Sequence, residues 1–201
     1  MNPLYTIGYS SFTPLDFIHV LKQNNINALA DVRTLPYSRY HNEYNADNLK
    51  ILLKKNNIFY VPLGKECGAR PEDSNCYVDG CVNFEKLAQT QLFQMGLRRL
   101  MNGLQKYTIA IMCAEEDPVT CHRYILVAHE LGKLHNDISI TNILPEGVLE
   151  DSSKSDKRLL HMFHLDHEEL PGMGRNYQER LNDAYALQAK KIAYEKVLQE
   201  E

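Results

Sequence analysis

The chain has 201 residues, with 26 acidic against 22 basic side chains for a formal net charge of −4, and 44% of its residues are hydrophobic and 24% charged. Those proportions belong to a folded globular chain and exclude a disordered or collagen-like one. The acidic balance argues against coating nucleic acid by bulk electrostatics, which takes a strongly basic domain. The amino terminus carries no basic stretch followed by a long apolar run, and nowhere do 18 apolar residues follow one another, so a cytoplasmic protein with no membrane partner is expected. Five cysteines, an odd number without a secretion signal, are expected to be thiols or ligands rather than a disulfide framework.

In chain order, short apolar runs alternate with segments of helical period. LYTIG (4–8) reads as a buried strand. Thr13 as N-cap, Pro14 in the first turn and Asp16 in capping-box position then start a helix that continues through Phe17 and Leu21. ALADV (28–32) is a second strand, ADNLKILLKK (46–55) a helix capped by Asn45, and FYVPL (59–63) a third buried strand. FEKLAQTQLFQMGLRRLMNGL (84–104) reads as one long helix softened at Gly96. TIAIM (108–112) is the fourth strand; Thr120 is placed to cap a helix running from Cys121 to about Gly132, and ISITNIL (138–144) is the fifth strand. EGVLEDSSKSDKR (146–158) has the composition of a linker, and His161, His164 and His167 suggest a solvated helix. A final helix over 176–200 presents the amphipathic stripe Leu181, Ala184, Tyr185, Gln188 and Ile192.

Strand and helix in alternation imply parallel pairing with right-handed crossovers. The expected fold is therefore α/β, a three-layer domain over 1–146 with a mostly parallel sheet of about five strands. Residues 147–201 are expected to form a polar linker and a C-terminal helical extension, packing on the domain or on a second subunit of a homodimer.

In open parallel sheets the ligand crevice lies beyond the carboxyl ends of the strands. Polar side chains concentrate there: Tyr9 and Ser10 after the first strand, Asp31, Arg33, Ser38, Arg39 and His41 after the second, Lys65, Glu66 and Arg70 after the third. The fourth strand leads into MCAEEDPVTCHR (112–123), with Cys113, Glu115, Cys121, His122 and Arg123. Arg33, Arg39, Arg70 and Arg123 suit an anionic ligand, because the guanidinium fork matches carboxylate and phosphate. Cys121 near a helix start, with His122 and Arg123 beside it, is a candidate nucleophile. Glu115 is a candidate acid or base. Cys113, Cys121 and His122 with a carboxylate also have the chemistry of zinc or iron ligands, although seven residues lie between the cysteines where a tight zinc motif has two.

The segments TIGYS, DVRTLPYSRYHNEYN, LGKECGARP, CYVDG and MCAEEDPVTCHR, with the late AYALQAKKIAY, together resemble the family described as domain of unknown function 488. The resemblance implies a shared site at Asp31, Arg33, Arg39, Arg70, Cys113, Glu115, Cys121, His122 and Arg123, and implies no reaction or cofactor.

The leading functional expectation is an enzyme acting on a small anionic or nucleotide-like ligand, such as a base, a nucleotide or a nucleic-acid end. Tyr9, Ser10, Asp31, Arg33, Arg39, Arg70 and Arg123 would bind it, Glu115, Cys121 and His122 would act on it, and Tyr9, Tyr37, Tyr40 or Tyr44 would stack on a planar part. Two alternatives stand beside it: a nucleic-acid-binding module without catalysis, and a metal or redox site built from Cys113, Cys121 and His122.

Overall fold

The computed structural model describes residues 1–135, 137–167 and 174–196. Its centre is strand β1 (Leu4–Gly8), followed by helix α1 (Pro14–Gln23), β2 (Ala28–Asp31), α2 (Ala46–Lys55), β3 (Phe59–Pro62) and the short α3 (Gly64–Cys67). A two-stranded hairpin, β4 (Tyr77–Val78) and β5 (Cys81–Val82), precedes α4 (Phe84–Gln89), α5 (Gln91–Leu104) and β6 (Ile109–Cys113). A wide π-type turn over Arg123–Ala128 then runs into α6 (His129–Leu134), and β7 (Ile140–Ile143), β8 (Leu149–Asp151), α7 (Ser152–Met162) and α8 (Tyr177–Ile192) complete the order. The six-stranded sheet has the order β3-β2-β6-β1-β7-β8, parallel except for β8, which pairs antiparallel to β7.

Both faces of the sheet are covered, which makes three layers. On β6, Ala110 and Met112 face a core formed with Phe17 and Leu21 of α1 and Leu49 and Leu53 of α2. The alternate residues Ile109, Ile111 and Cys113 face the opposite core, with Leu97 and Leu100 of α5, Leu159 of α7 and Ala184 of α8. Every residue of β6 is therefore buried, as a parallel strand between two helical layers must be. The polar Thr6 of β1 is tolerated inside because its hydroxyl donates to Asn142 Oδ1 on β7 (2.7 Å).

Local signals explain the helix ends. Thr13 Oγ1 accepts from Asp16 N (3.3 Å) at the start of α1, as the capping pattern predicts. α1 and α2 both end just before an asparagine in the left-handed region, Asn25 (φ 55°) and Asn57 (φ 59°), a conformation asparagine tolerates better than most residues.

Several expectations are corrected. The segment expected as a free linker carries β8 and α7: Asp151 caps α7 by accepting from Ser153 N (2.9 Å), and Glu150 accepts from Ser155 and Arg158. β3 is an edge strand, with Phe59 59% exposed, and not a buried one. The single helix expected over 84–104 breaks at Thr90, whose hydroxyl donates to Leu87 O (2.8 Å) and accepts from Phe93 N (3.2 Å), ending one helix and starting the next. Gly96 does not soften α5; it lets that helix approach α3, since a Cβ there would lie 2.4 Å from Cys67 Sγ. His161 lies in the last turn of α7 and pairs with Asp166, while His164 sits in the left-handed region outside any helix. The last helix stops at Ile192, and the chain continues extended: Val82 N donates to Tyr194 O (2.9 Å) and Lys196 N to Gly80 O (2.9 Å), adding a strap to the β4–β5 hairpin. Residues 197–200 of the expected helix lie outside the described residues. No helix among the described residues is long and apolar enough to cross a membrane.

α8 packs back on its own chain. Leu181, Ala184 and Tyr185 are buried, Gln188 Nε2 donates to Val119 O (2.6 Å), and the Tyr185 hydroxyl shares Asp156 with that of Tyr124. The ring of His129 stacks on Tyr185 with centroids 3.7 Å apart. Burial, helped by Lys133, pushes the His129 pKa down to about 4. His129 is thus neutral in the folded protein where it would be charged in the unfolded chain, so its contribution is complete above the unfolded value of about 6.5 and is lost as pH falls towards 4. Between pH 7 and pH 5 the loss is on the order of 2 kcal/mol. His129→Gln is expected to reduce the fall in stability over that interval by that amount, read from urea midpoints at both pH values; equal falls in the two proteins would contradict the assignment.

Candidate active site

The helix after β1 lies on one face of the sheet and the helix after β6 on the other, although the two strands are neighbours. Where connections from adjacent parallel strands part in this way, their carboxyl ends leave a crevice. A crevice of about 400 Å³ opens at this edge, lined by Tyr9 after β1, Arg33 and Ser38 after β2, Arg70 after α3, and Cys113, Glu115, Cys121 and His122 after β6.

The loop after β2 is shaped by an ion pair. Arg33 Nε donates to Asp31 Oδ1 (2.9 Å) and Nη2 to Asp31 Oδ2 (2.6 Å), while Nη2 also reaches Tyr44 O (2.9 Å). The Tyr60 hydroxyl donates to Asp31 Oδ2 (2.8 Å), so the carboxylate is saturated with donors. Burial opposes charge on Arg33, but the Asp31 carboxylate outweighs it and, with Tyr9, raises the guanidinium pKa. Arg33 is only 6% exposed, and its remaining nitrogen, Nη1, is buried without a hydrogen bond. Tyr9 lies under this guanidinium, 5.0 Å from ring centroid to Cζ, and stacks on Tyr44 at 4.5 Å.

The opposite wall is the loop that the sequence singles out. Cys113 Sγ, a Glu115 carboxylate oxygen, Cys121 Sγ and a His122 ring nitrogen all lie within 4.8 Å of one another. Cys121 Sγ is 2.9 Å from Glu115 Oε2, and His122 Nδ1 is 3.7 Å from Cys113 Sγ and 4.0 Å from Cys121 Sγ. His122 Nε2 lies 3.1 Å from the Val32 carbonyl, which can only accept, so Nε2 carries the proton and Nδ1 faces the sulfurs. The groups titrate against one another. Burial raises the Cys121 pKa, but the Cys113 thiol, Arg123 and His122 lower it by more, so the net direction is well below the ordinary thiol. The hydrogen bond to Cys121 and then burial push Cys113 well above it. Burial lowers the His122 pKa, yet the contact with Cys121 raises it further. Loss of water around its carboxylate at the crevice wall, followed by Cys121, raises Glu115, although the residue as a whole is exposed. Cys67, by contrast, is a buried thiol pushed up to about 12 by its burial, and is inert.

Of the residues expected here, Tyr9, Arg33, Arg70, Cys113, Glu115, Cys121 and His122 meet at the crevice, with Asp31 behind Arg33. Ser10 and Arg39 are exposed and do not line it. Arg123 is fully buried behind the wall, where it donates to Thr6 Oγ1 (3.3 Å), Glu115 O (2.5 Å) and Glu116 O (3.0 Å). It holds the loop's shape and does not line the crevice. Thr120 caps no helix: its hydroxyl donates to Asp117 O (3.0 Å) within a tight turn, and the helical winding starts after Cys121. Among the tyrosines, Tyr37 stands at the rim, Tyr44 is buried, and Tyr40 is 92% exposed.

Two lining residues were not expected at the site. Ile192 ends α8 and Tyr194 lies on the C-terminal strap after it, and Arg70 Cζ lies 4.5 Å from the centre of the Tyr194 ring. Position alone, more than 70 residues after Cys121, gave nothing to connect them with the site.

A family model described as "Domain of unknown function DUF488" matches residues 14–129, more than half of the chain. That span runs from α1 to the start of α6 and includes Asp31, Arg33, Arg70 and the whole Cys113–Arg123 loop, while Tyr9 and Tyr194 lie outside it. No curated protein and no solved structure matches the chain.

Proposed function

The chain belongs to the DUF488 family, whose description assigns no reaction, and from the crevice we propose that it is an enzyme acting on a small ligand held by an anionic oxygen group. Arg33 carries the reading. A buried guanidinium normally satisfies all its donors, since an unpaired buried polar group costs about 1–3 kcal/mol. Arg33 leaves Nη1 over at the wall of a crevice instead. Asp31 already balances its charge, so Arg33 offers a ligand a directional donor, and Arg70 at the rim adds net positive charge with no ion pair among the described residues. A carboxylate or phosphate oxygen between them matches both groups. Tyr37 and Tyr194 at the mouth are aromatic surfaces for a planar part such as a base. Held there, the ligand presents its other end to Glu115, Cys121 and His122.

The test is a thermal-shift screen of nucleotides, sugar phosphates and small carboxylates. At least one is expected to stabilise the protein. Arg33→Lys keeps a cation beside Asp31 but loses the guanidinium fork, and it is expected to weaken that ligand at least tenfold. Arg70→Ala, at an exposed position, is expected to weaken it several-fold with the melting temperature of the free protein unchanged. A stabiliser indifferent to both changes, or none in the whole panel, would contradict the proposal.

A further inference from the structure

We propose that Cys113, Glu115, Cys121 and His122 together bind one divalent transition-metal ion of the zinc or iron class. This deepens the reading of the crevice as a reaction site and rests on that reading for what the ion does, though not for its binding.

Three observations carry it. The first is spacing. A tetrahedral zinc ion with bonds of about 2.3 Å to sulfur and about 2.0 Å to nitrogen sets those two ligands about 3.5 Å apart. His122 Nδ1 lies 3.7 Å and 4.0 Å from the two sulfurs, close to that spacing, and all four ligand atoms fall within 4.8 Å of one another. The second is orientation. Metal-binding histidines characteristically donate their other ring N–H to a carbonyl or carboxylate, which fixes the ring and leaves one lone pair for the ion. His122 does this through Nε2 and the Val32 carbonyl, on the strand-end loop across the crevice. The third is crowding. The Cys121 thiol donates to Glu115 Oε2 (2.9 Å) with a second sulfur and an imidazole nitrogen in the same space, and a cation shared by all four would take the place of that proton.

The long interval between the cysteines is accounted for by the loop itself. Asp117 accepts from Val119 N (3.1 Å) and turns the chain back, and Arg123 grips the carbonyls of Glu115 and Glu116 from behind. The ligands are thereby gathered without a short motif. Two sulfurs and an imidazole favour zinc or iron(II) over magnesium or calcium, which take oxygen. Cys113 and Cys121 are buried, whereas Glu115 is the exposed member of the four and lines the crevice. Glu115 is therefore the ligand that an incoming anionic oxygen can displace, giving the ion the open position that catalytic sites keep.

The experiment uses the full chain, purified without chelator and with reduced thiols. Metal analysis is expected to return close to one equivalent of zinc or iron. The chelated protein titrated with cobalt(II) alone is expected to show the intense visible bands of tetrahedral cobalt and thiolate charge transfer in the near ultraviolet. Cys113→Ser, Cys121→Ser and His122→Gln are each expected to weaken cobalt at least 100-fold, and Cys81→Ser, outside the cluster, to leave it unchanged; far-ultraviolet circular dichroism checks that each variant is folded. Less than a tenth of an equivalent together with no cobalt spectrum would overturn the proposal, as would a spectrum that survives both Cys113→Ser and Cys121→Ser. Arg33→Lys separates the two readings, because it should keep the cobalt spectrum and lose binding of the anionic stabiliser. A stabiliser bound through Arg33 in a protein that gives no cobalt spectrum refutes the metal alone, and a cobalt spectrum with no anionic stabiliser refutes the ligand reading alone.

Discussion

Arg123→Met is expected to lower stability by about 3–5 kcal/mol, a drop of roughly 10 °C in melting temperature for a chain of this length. Methionine fills much of the same space, so the loss isolates the donors. Three groups lose a partner at once: the Thr6 hydroxyl and the carbonyls of Glu115 and Glu116. The two carbonyls belong to the stretch between Cys113 and Cys121, so the variant should also loosen the crevice wall, and its thermal response to the anionic stabiliser should shrink. Urea denaturation of both proteins measures the first effect. A loss below about 1 kcal/mol would mean that the loop finds other donors, and that Arg123 is not what shapes it.

Gly8→Ala is expected to be as damaging by the opposite route. Gly8 ends β1 beside Cys113 of β6, and a Cβ added to it would lie 1.7 Å from Glu115 O and 2.9 Å from Glu116 Cα. Those atoms are backbone, with no side-chain rotation to yield, so the loop must back away by more than an ångström. That displacement draws the two carbonyls off Arg123 and moves Glu115 off Cys121. A destabilisation of about 3 kcal/mol or more is expected, well above the usual cost of a surface glycine substitution. Both variants act through Glu115 and Glu116, so the double variant should cost less than the sum of the two. Full additivity in urea denaturation would show that Gly8 and Arg123 do not share this loop.

Why some of this was legible from sequence and some was not comes down to the range of the forces involved. Four of the five parallel strands announce themselves because burial on both faces demands unbroken apolar runs such as IAIM in β6, and β3 carries such a run although it lies at the sheet edge. The carboxyl-edge rule then places Arg33, Cys113 and Cys121 on one rim, because it follows from topology alone. β8 has no such signature: Leu149 and Asp151 are exposed, and the segment becomes a strand because β7 offers a free edge. Thr90 has the chemistry of a cap, but the helical period runs through it, and only its hydrogen bonds reveal the break. Arg33 and Arg123 look equivalent in the chain. Their roles part because Asp31 takes up all but one nitrogen of Arg33, whereas Arg123 lies beneath the two carbonyls of a loop that folds over β1. The neighbour Asp31 is a local sign of the Arg33 pair, whereas nothing local to Arg123 reveals the carbonyls it holds. The Tyr194 strap depends on pairing with a hairpin more than 100 residues earlier, and is invisible for the same reason.

A crystal structure of the protein with the strongest stabiliser from the screen tests directly whether the ligand sits in the crevice. The expected result is an anionic oxygen within hydrogen-bonding distance of Arg33 Nη1, with the rest of the molecule directed towards Glu115 and Cys121. A ligand seated elsewhere, for instance in the apolar groove beside Phe59 and Tyr107, with the Arg33 surroundings unchanged, would contradict it.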